Sequence, residues 1–502
     1  MERRPESDGP GEPCDQTRNC WFTGATTVAL VLGVAAAVRV LSHLNIPLVI
    51  SNDGAWYLHW AHQLLSGESP DLPPFRTPGY PLFLWALFAV FGSGPGVILG
   101  AQHALGCATA ALVAWMVVRL RGPVWGLAAG LLAALDPVLL AFESTVLTES
   151  VSTFLLVALA AMSVGPGSRQ PVRPAALGLV LGALCLVRPA FQVFVPFLAL
   201  GVALQARATV PRAIRLRSAA ILLLAFGLVV GPWVYRNAQH GTRGLSGGNG
   251  VFLWIGVAQA GLLVPDFPLP GAIEERYRSI IATGRPDDGS IHRFLGAVNA
   301  WRSPGVDRLL GRWARASVRA RPLGYSSAAL HGVCWQLGLF PRSGSAVHNE
   351  TTWMLRRFSQ DGREGGMAAP NFQFNQPITG LDHFAQPKGR GPLAWTLDRL
   401  ATPLSSGWPR LLLGALAVFA TGAFARAGRW TLALCLAASL AHCLAHAAFL
   451  LPYSRYTLPC WVLWCIAVAD IPAHRAGRSL PAHESPADGV TGSRPRTASG
   501  SS

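Results

Sequence analysis

The sequence predicts an all-α polytopic membrane protein, and three observations lead to this class. The 502 residues are 51% hydrophobic and 13% charged, whereas soluble chains carry about 25% charged residues. About ten apolar segments approach the roughly 20 residues that a helix needs to cross the hydrocarbon. Arginines cluster on alternate connections between these segments, as expected when one set of loops remains in the cytoplasm.

The candidate transmembrane helices follow one another in two groups. The first group, residues 22–235, precedes a long polar stretch, and the second, residues 408–472, follows it. In order, the segments are 22–41, 97–119, 123–141, 149–164, 174–187, 190–206, 217–235, 408–425, 430–451 and 457–472. Residues 1–21 mix acids and arginines, unlike a cleaved signal peptide, so the first segment is expected to be a retained anchor.

The arginine-rich short loops fix the expected orientation. They carry Arg119 and Arg121, then Arg169 and Arg173, then the group Arg207 to Arg217, then Arg426 and Arg429. Assigning them to the cytoplasm makes both termini cytoplasmic and leaves residues 42–96 and 236–407 outside. The final segment, 473–502, is rich in Ser, Pro, Gly and Arg and is expected to be a disordered cytoplasmic tail.

The two outer regions differ in character. The first contains "SNDGAWYLHWAHQLLSG", an amphipathic helix pattern, and a short apolar run, Leu82 to Phe91, which has the length of an interfacial helix. The second, 236–407, has short helical patterns at 306–320 and 325–339 and is expected to be a small, mainly helical extracytoplasmic region. Residues 362–369 are expected to be poorly ordered.

Ionisable side chains collect at the expected outer ends of the spans. They are Asp53, Arg76, Glu143, Glu149, Arg188, Arg236 and Arg455. Such groups are costly at membrane depth and usually face a cavity or one another, which favours a shared site. Snorkelling of each arginine to the headgroups is the simpler alternative. Asp53 has two interpretations as well: an N-cap of the helix that follows, or a base that removes a proton from a hydroxyl.

Some binding classes are not supported by the sequence. The formal net charge of +16 is spread over short loops without a compact basic cluster, so nucleic-acid binding is not expected. His59 and His62 lie three residues apart but lack a third ligand at a metal-binding spacing. We therefore expect no transition metal and no organic cofactor, and the sequence leaves a divalent cation open. The nine cysteines match no zinc spacing.

Six motifs in order resemble the membrane glycosyltransferases of the type C fold. They are "NDGAWYLHWAHQLLSG", "FRTPGYPLFLWALFAVFG", "ESTVLTES" after "DP", "LVRP", "GPWVYRNAQHGT" and "SRYTLP". The nearest resemblance is to the dolichyl-phosphate-mannose protein mannosyltransferase superfamily (family 39), in its bacterial lipid-modifying branch. Many relatives have a second acid after the catalytic aspartate, whereas this chain has Gly54, and a protein acceptor is correspondingly less supported.

The resemblance implies an inverting glycosyltransferase that transfers a hexosyl or pentosyl group from a polyprenyl phosphate. The catalytic aspartate maps onto Asp53, and the acceptor hydroxyl, on a glycan, lipid or protein, approaches from the extracytoplasmic face of the cell membrane. Arginine suits the phosphate because its planar fork donates two parallel hydrogen bonds. The expected phosphate ligands are Arg455, Arg236 and Arg188. The expected substrate contacts are Tyr57, Arg76, Tyr80, Glu143, Glu149 and Tyr456.

Several alternatives stay open at this stage. Arg76 could instead order the first outer loop. Glu149 could have a structural role, since an acid in the first turn of a helix interacts favourably with the helix dipole. The main functional alternative is a multi-span transporter or flippase of a lipid-linked or polar substrate, although no repeated halves are evident. A third hypothesis is a non-catalytic assembly protein that has kept the fold, since fold alone does not fix function.

Overall fold

The computed structural model describes twelve stretches of the chain. They are residues 16–46, 48, 50, 52–70, 72–164, 172–204, 211–281, 288–336, 407–426, 429–448, 459–460 and 463–464. Within these stretches the chain forms helices and no β-strand. Arg455 and Tyr456, the region 362–369 and the expected tail lie outside the described residues.

The helices up to residue 239 run in chain order as follows. They are α1 Gln16–Asn45, α2 Asn52–Leu65, α3 Gly79–Phe91, α4 Pro95–Arg121, α5 Pro123–Ala134, α6 Pro137–Glu143, α7 Glu149–Val164, α8 Val172–Val187, a 3-10 helix Pro189–Val193, α9 Phe194–Leu204 and α10 Arg212–Gln239. The remaining helices are α11 Asn249–Gln259, α12 Gly271–Ile280, α13 Asp288–Ala297, α14 Pro304–Ala320, α15 Pro322–Gln336, α16 Gly407–Arg426 and α17 Trp430–Ala448.

Each of the first nine predicted apolar segments coincides with a helix or with a pair of adjacent helices. Three helices in the described part are long and apolar enough to cross a membrane: Gly24–Leu44 within α1, α4 and α10. A fourth span results if α5 and α6, bent by 49°, count as one. The other apolar helices are shorter. The chain is therefore a helical membrane protein, while the number of ten spans stays a prediction.

The bend between α5 and α6 follows from local sequence. Asp136 precedes Pro137, which has no backbone N–H and so suits the first position of a new helix. The Asp136 carboxylate accepts hydrogen bonds from the backbone N–H groups of Val138 at 2.8 Å and Leu139 at 3.3 Å. This cap restarts the chain in a new direction. The segment after α6 consequently lies close to α2 and the start of α7.

The second helix is buried more deeply than its amphipathic pattern predicts. Trp56 and Trp60 are buried together with Tyr57 and Leu58. His62, expected on the polar face, stacks on Phe88 of α3 with ring centroids 5.2 Å apart. The reason is that α2 is covered on one side by α3 and on another by the segment around α6. It is thus a packed element that holds its first turn in place.

The region after α10 has a separate aromatic core. The core is formed by side chains of α11 to α14, among them Trp254, Phe294 and Trp313. Trp313 also donates its indole N–H to the carbonyl of Val264 at 2.9 Å. The prediction of a mainly helical second outer region is confirmed for the residues described. Its position on the extracytoplasmic side stays a prediction.

Candidate functional site

A cavity of about 510 Å³ lies where α2, the loop before α3, the start of α7, the end of α8, the start of α11 and the end of α17 meet. Its volume falls within the roughly 300–1,000 Å³ typical of small-molecule sites. Five of the predicted site residues line it: Asp53, Tyr57, Arg76, Glu149 and Arg188. Side chains from regions far apart in sequence therefore converge on one space.

Asp53 lies in the first turn of α2, at the wall of the cavity. Its carboxylate Oδ1 accepts a short charge-assisted hydrogen bond from Nη2 of Arg76. The side chains of this pair are 17% and 18% exposed, respectively, so both are sheltered while still in reach of a ligand. A carboxylate in a first turn also interacts favourably with the helix dipole. Asp53 is thus held at the cavity by two electrostatic interactions.

Arg76 connects the loop before α3 to α2. Its Nη1 donates to the hydroxyl of Tyr57 at 2.9 Å, while Nη2 contacts Asp53. The guanidinium carbon lies 4.9 Å from the ring centroid of Phe75 and 5.5 Å from that of Tyr57. One planar cation therefore fixes two side chains of the cavity wall, a task for which the fork of arginine is suited. This geometry agrees with an ordering role for Arg76.

Glu149 and Arg188 form a second ion pair in the cavity lining. Nη1 of Arg188 lies 3.3 Å from Oε1 of Glu149, and the side chains are 9% and 2% exposed. Arg188 has an extended backbone between α8 and the 3-10 helix, since the following Pro189 disfavours helical geometry at the residue before it. Glu149 opens α7. Two helix boundaries thus present opposite charges to the same space.

Three predicted site residues lie outside the cavity lining. Tyr80 is fully buried and donates its hydroxyl to Oε1 of Gln102 at 2.9 Å. Arg236 donates to the backbone carbonyl of Leu72 at 2.7 Å and lies over the ring of Trp233 at 4.6 Å. Glu143 is fully buried as well. The structure does not bring these three side chains to the cavity: Tyr80 and Glu143 are buried between helices, and Arg236 is held by the carbonyl of Leu72 in the loop before α3.

Glu143 occupies a buried ionic network instead. Its Oε1 accepts from Nη2 of Arg39 at 2.6 Å, and its Oε2 lies 2.9 Å from Nδ1 of His103. Gln102 donates to the backbone carbonyls of Glu143 and Thr145 at 2.9 Å each. A buried carboxylate needs such partners because its desolvation is costly. The network joins α1, α4 and α6 and so supports the segment that leads to Glu149.

Two histidines of α17 line the cavity and were not identified from the sequence. His442 is stacked on Phe191 with ring centroids 4.5 Å apart and an interplanar angle of 9°. The ring of His446, one turn later, lies 4.7 Å from that of His442. The signal available in the sequence was their spacing of four residues within an apolar segment. They add imidazole groups to a lining otherwise dominated by two ion pairs.

The cavity has the groups needed to bind a polar ligand with an apolar part. Two carboxylates and two guanidinium groups stand beside Phe75, Leu147, Val187 and Phe252. Within the described ranges, no three His, Cys, Asp or Glu side chains are placed to hold a metal ion. The expectation that no transition metal binds stays a prediction.

No protein-family model matches the chain, and no curated protein sequence matches it. Solved structures do match. The chain is 12% identical to the Archaeoglobus fulgidus oligosaccharyltransferase complexed with zinc and sulfate, with a TM-score of 0.43, covering 88% of this chain and 48% of that one. AglB from the same organism, in complex with an inhibitory peptide and a dolichol-phosphate, is 12% identical with a TM-score of 0.44, covering 91% and 50%.

A third match is ArnT from Cupriavidus metallidurans bound to undecaprenyl phosphate. It is 14% identical with a TM-score of 0.37, and the match covers 89% of this chain and 79% of that one. The chain spans about half the length of the archaeal oligosaccharyltransferases. The chemistry of this chain is set by its own side chains in the cavity.

Proposed function

We propose that this chain is an inverting glycosyltransferase that moves a sugar from a polyprenyl phosphate to an acceptor hydroxyl at the membrane surface. The observation that carries this proposal is the Asp53–Arg76 pair on the wall of a cavity that Arg188 also lines. A base and a cation for phosphate are the two groups that such a transfer requires. The donor class follows from the resemblance of the sequence to family 39.

In the proposed reaction, Asp53 is the general base. The acceptor hydroxyl attacks the anomeric carbon and transfers its proton to the Asp53 carboxylate. The new carbon–oxygen bond forms as the bond between the anomeric carbon and the phosphate oxygen breaks. The electron pair of that bond leaves with the polyprenyl phosphate. A single displacement of this kind inverts the configuration at the anomeric carbon.

Arg76 acts as a positioning residue for the base. Because it contacts Asp53 and Tyr57 at once, it limits the rotation of the carboxylate relative to α2. Its loop is itself anchored, since the backbone N–H of Arg76 donates to the carbonyl of Pro73 at 3.0 Å. Holding a reacting group in one geometry can lower the activation free energy substantially.

Arg188 is the phosphate ligand that the described cavity offers. It lies beside Glu149, whose carboxylate holds the guanidinium in place. As negative charge grows on the leaving phosphate, a guanidinium already aimed at the site stabilises it without reorganisation. Arg455 and Tyr456 stay sequence-based candidates for the same end of the donor, and His442 and His446 are candidates for contacts to sugar hydroxyls.

The sidedness of the reaction is part of the proposal. The arginine distribution predicts that Asp53 and the cavity face the extracytoplasmic side, with both termini in the cytoplasm. The apolar residues of the lining would accommodate the first isoprene units of the donor. A transporter would use the same charges to line a path, but it would leave the substrate covalently unchanged.

The test is sugar transfer by purified protein reconstituted with a polyprenyl-phosphate sugar and an acceptor extract. Asp53→Asn should reduce the rate by about 100- to 10,000-fold, the usual contribution of a general base. Asp266→Asn, a change of the same kind at an exposed position, should leave the rate unchanged. Full transfer by Asp53→Asn would exclude the proposed base, and flux across vesicles without any covalent product would favour a transporter.

The phosphate assignment has a separate test. Arg188→Lys keeps the positive charge but loses the planar fork, so the affinity for undecaprenyl phosphate in a direct binding measurement should fall by about tenfold or more. Arg243→Lys, at an exposed position, serves as the matched control. Unchanged affinity in Arg188→Lys would remove Arg188 from the donor site.

A further inference from the structure

Helix α14 carries a stripe of four arginines on one face. They are Arg308, Arg312, Arg315 and Arg319, and all four are exposed. At about 100° of rotation per residue, these positions fall within a sector of about 60°. With a rise of about 1.5 Å per residue, the stripe extends over roughly 17 Å. We refer to these four residues as the arginine stripe.

The opposite face of α14 is fixed by packing. Leu310 and Trp313 are buried against α11 in the aromatic core of this region. Ser317 donates to the carbonyl of Trp313 at 2.9 Å and accepts from the backbone N–H of Val264 at 3.0 Å. The helix therefore cannot rotate its arginines inward. The direction of the stripe is a stable property of the fold.

The charge of the stripe is not neutralised within the described part of the chain. Every ion pair found there involves other residues, and none of the four arginines lies within 4.0 Å of a described carboxylate oxygen. The polar contact made by Arg308 is a hydrogen bond to the carbonyl of Gly241 at 3.5 Å. Four guanidinium groups on one line thus present a field that attracts anions.

The two ends of α14 lie next to apolar helices of the membrane protein. Gly241, the partner of Arg308, comes two residues after the end of α10, which is long and apolar enough to cross a membrane. At the other end, α14 is followed directly by α15, which packs against the apolar helix α17. The stripe therefore runs between two elements of the membrane region.

The next helix in the chain, α15, carries two exposed leucines. Leu323 is 85% exposed and Leu330 is 63% exposed. Seven residues apart on α15, they share one face. A row of arginines followed by exposed leucines, next to apolar helices, has the composition of a surface that rests on a bilayer. A soluble polyanion would contact the arginines but would leave the exposed leucines unexplained.

We propose that the arginine stripe and the exposed leucines of α15 form a docking surface for anionic membrane lipids. The guanidinium groups bind the headgroup phosphates, to which arginine donates paired hydrogen bonds. Leu323 and Leu330 enter the adjacent acyl region. Docking holds the region after α10 against the bilayer. This inference does not depend on sugar transfer, because the stripe is separate from the cavity lining.

The experiment measures lipid binding to the full chain in neutral detergent by native mass spectrometry, with phosphatidylglycerol or phosphatidylcholine added. Arg312→Gln/Arg315→Gln should weaken phosphatidylglycerol binding by about thirty-fold, given the usual contribution of each basic residue at an anionic surface. Phosphatidylcholine binding should not change. Arg312→Lys/Arg315→Lys keeps the charge but loses the paired hydrogen bonds, so it should weaken phosphatidylglycerol binding by less than the glutamine variant does.

The control is Arg276→Gln/Arg293→Gln, which removes two exposed arginines from α12 and α13. An equal loss of phosphatidylglycerol binding in the control would mean that net charge alone acts, and it would overturn the proposal. Unchanged binding in Arg312→Gln/Arg315→Gln would overturn it too. A third arm adds soluble polyphosphate: if the stripe variant loses polyphosphate binding but keeps phosphatidylglycerol binding, the partner is a soluble polyanion and the lipid proposal fails.

Discussion

Arg76 donates to the carboxylate of Asp53 from a loop 23 residues further along the chain. The same guanidinium reaches the hydroxyl of Tyr57 one turn after Asp53. The loop before α3 therefore closes on α2, and the closing contact is also the contact that orients the proposed base.

The first prediction concerns this contact. Arg76→Lys keeps a cation but cannot donate hydrogen bonds to Asp53 and Tyr57 in the same geometry. The kcat for sugar transfer should therefore fall by about 100-fold, while the KM for the acceptor changes little. Tyr57→Phe removes only the hydroxyl contact and should cost about tenfold or less. The measurement is steady-state transfer in reconstituted membranes. A wild-type kcat in Arg76→Lys would show that Asp53 is aligned without it.

The second prediction concerns the buried network around Glu143. Glu143→Gln leaves the side chain of Arg39, which is 2% exposed, without its carboxylate. Breaking a buried pair from one side costs about 3–5 kcal/mol, so thermal melting in detergent should occur at a clearly lower temperature. Glu274→Gln breaks an exposed pair with Arg278 and should cost less than about 1 kcal/mol. Equal melting temperatures for the two variants would contradict a stabilising network.

The sequence allowed the helices to be predicted because the length of an apolar run is set by the hydrocarbon. The cavity was predictable in part for a related reason. Asp53, Arg76, Glu149 and Arg188 stand at the ends of apolar runs, where charges are expensive unless they meet. The sequence favoured a shared site for the charges at the span ends, and the structure adds which of them line the cavity.

The sequence did not show which of the remaining residues line the cavity and which are packed elsewhere. Glu143 also follows an apolar run, but its side chain contacts Arg39. Arg39 lies near the end of the first apolar segment, 22–41, and the cost of a charge there was the available signal that it has a partner. His442 and His446 resembled packing residues because their neighbours are apolar. Which side of a helix faces a cavity depends on helix rotation, and rotation is set by packing between distant segments.

The third prediction concerns pH. Burial lowers the pKa of His59 below 6.5, and the nearby Glu68 opposes this only in part. The unfolded chain therefore binds a proton at a higher pH than the folded chain does, so the fold loses stability as the pH falls below about 6.5. His59→Gln should flatten the fall in melting temperature between about pH 7 and pH 5.

The comparison variant for this pH effect is His240→Gln, which removes an exposed imidazole at the end of α10. Melting curves of wild type and both variants at matched pH values separate the contribution of His59 from the general acid sensitivity of the protein. The same slope in wild type and His59→Gln would show that burial of this imidazole does not contribute to acid sensitivity.

The last prediction concerns the backbone contact between α3 and α8. A Cβ atom added at Gly79 would overlap the backbone carbonyl of Leu186. Backbone cannot move aside as a flexible side chain can, so Gly79→Ala should destabilise the fold by about 1–3 kcal/mol. Leu186 lies two residues before Arg188, and a displaced α8 should therefore also weaken binding of undecaprenyl phosphate. Gly100→Ala meets open space in α4 and should stabilise by about 0.5–1 kcal/mol. If both alanine variants melt and bind alike, the close approach of α3 to α8 does not position Arg188.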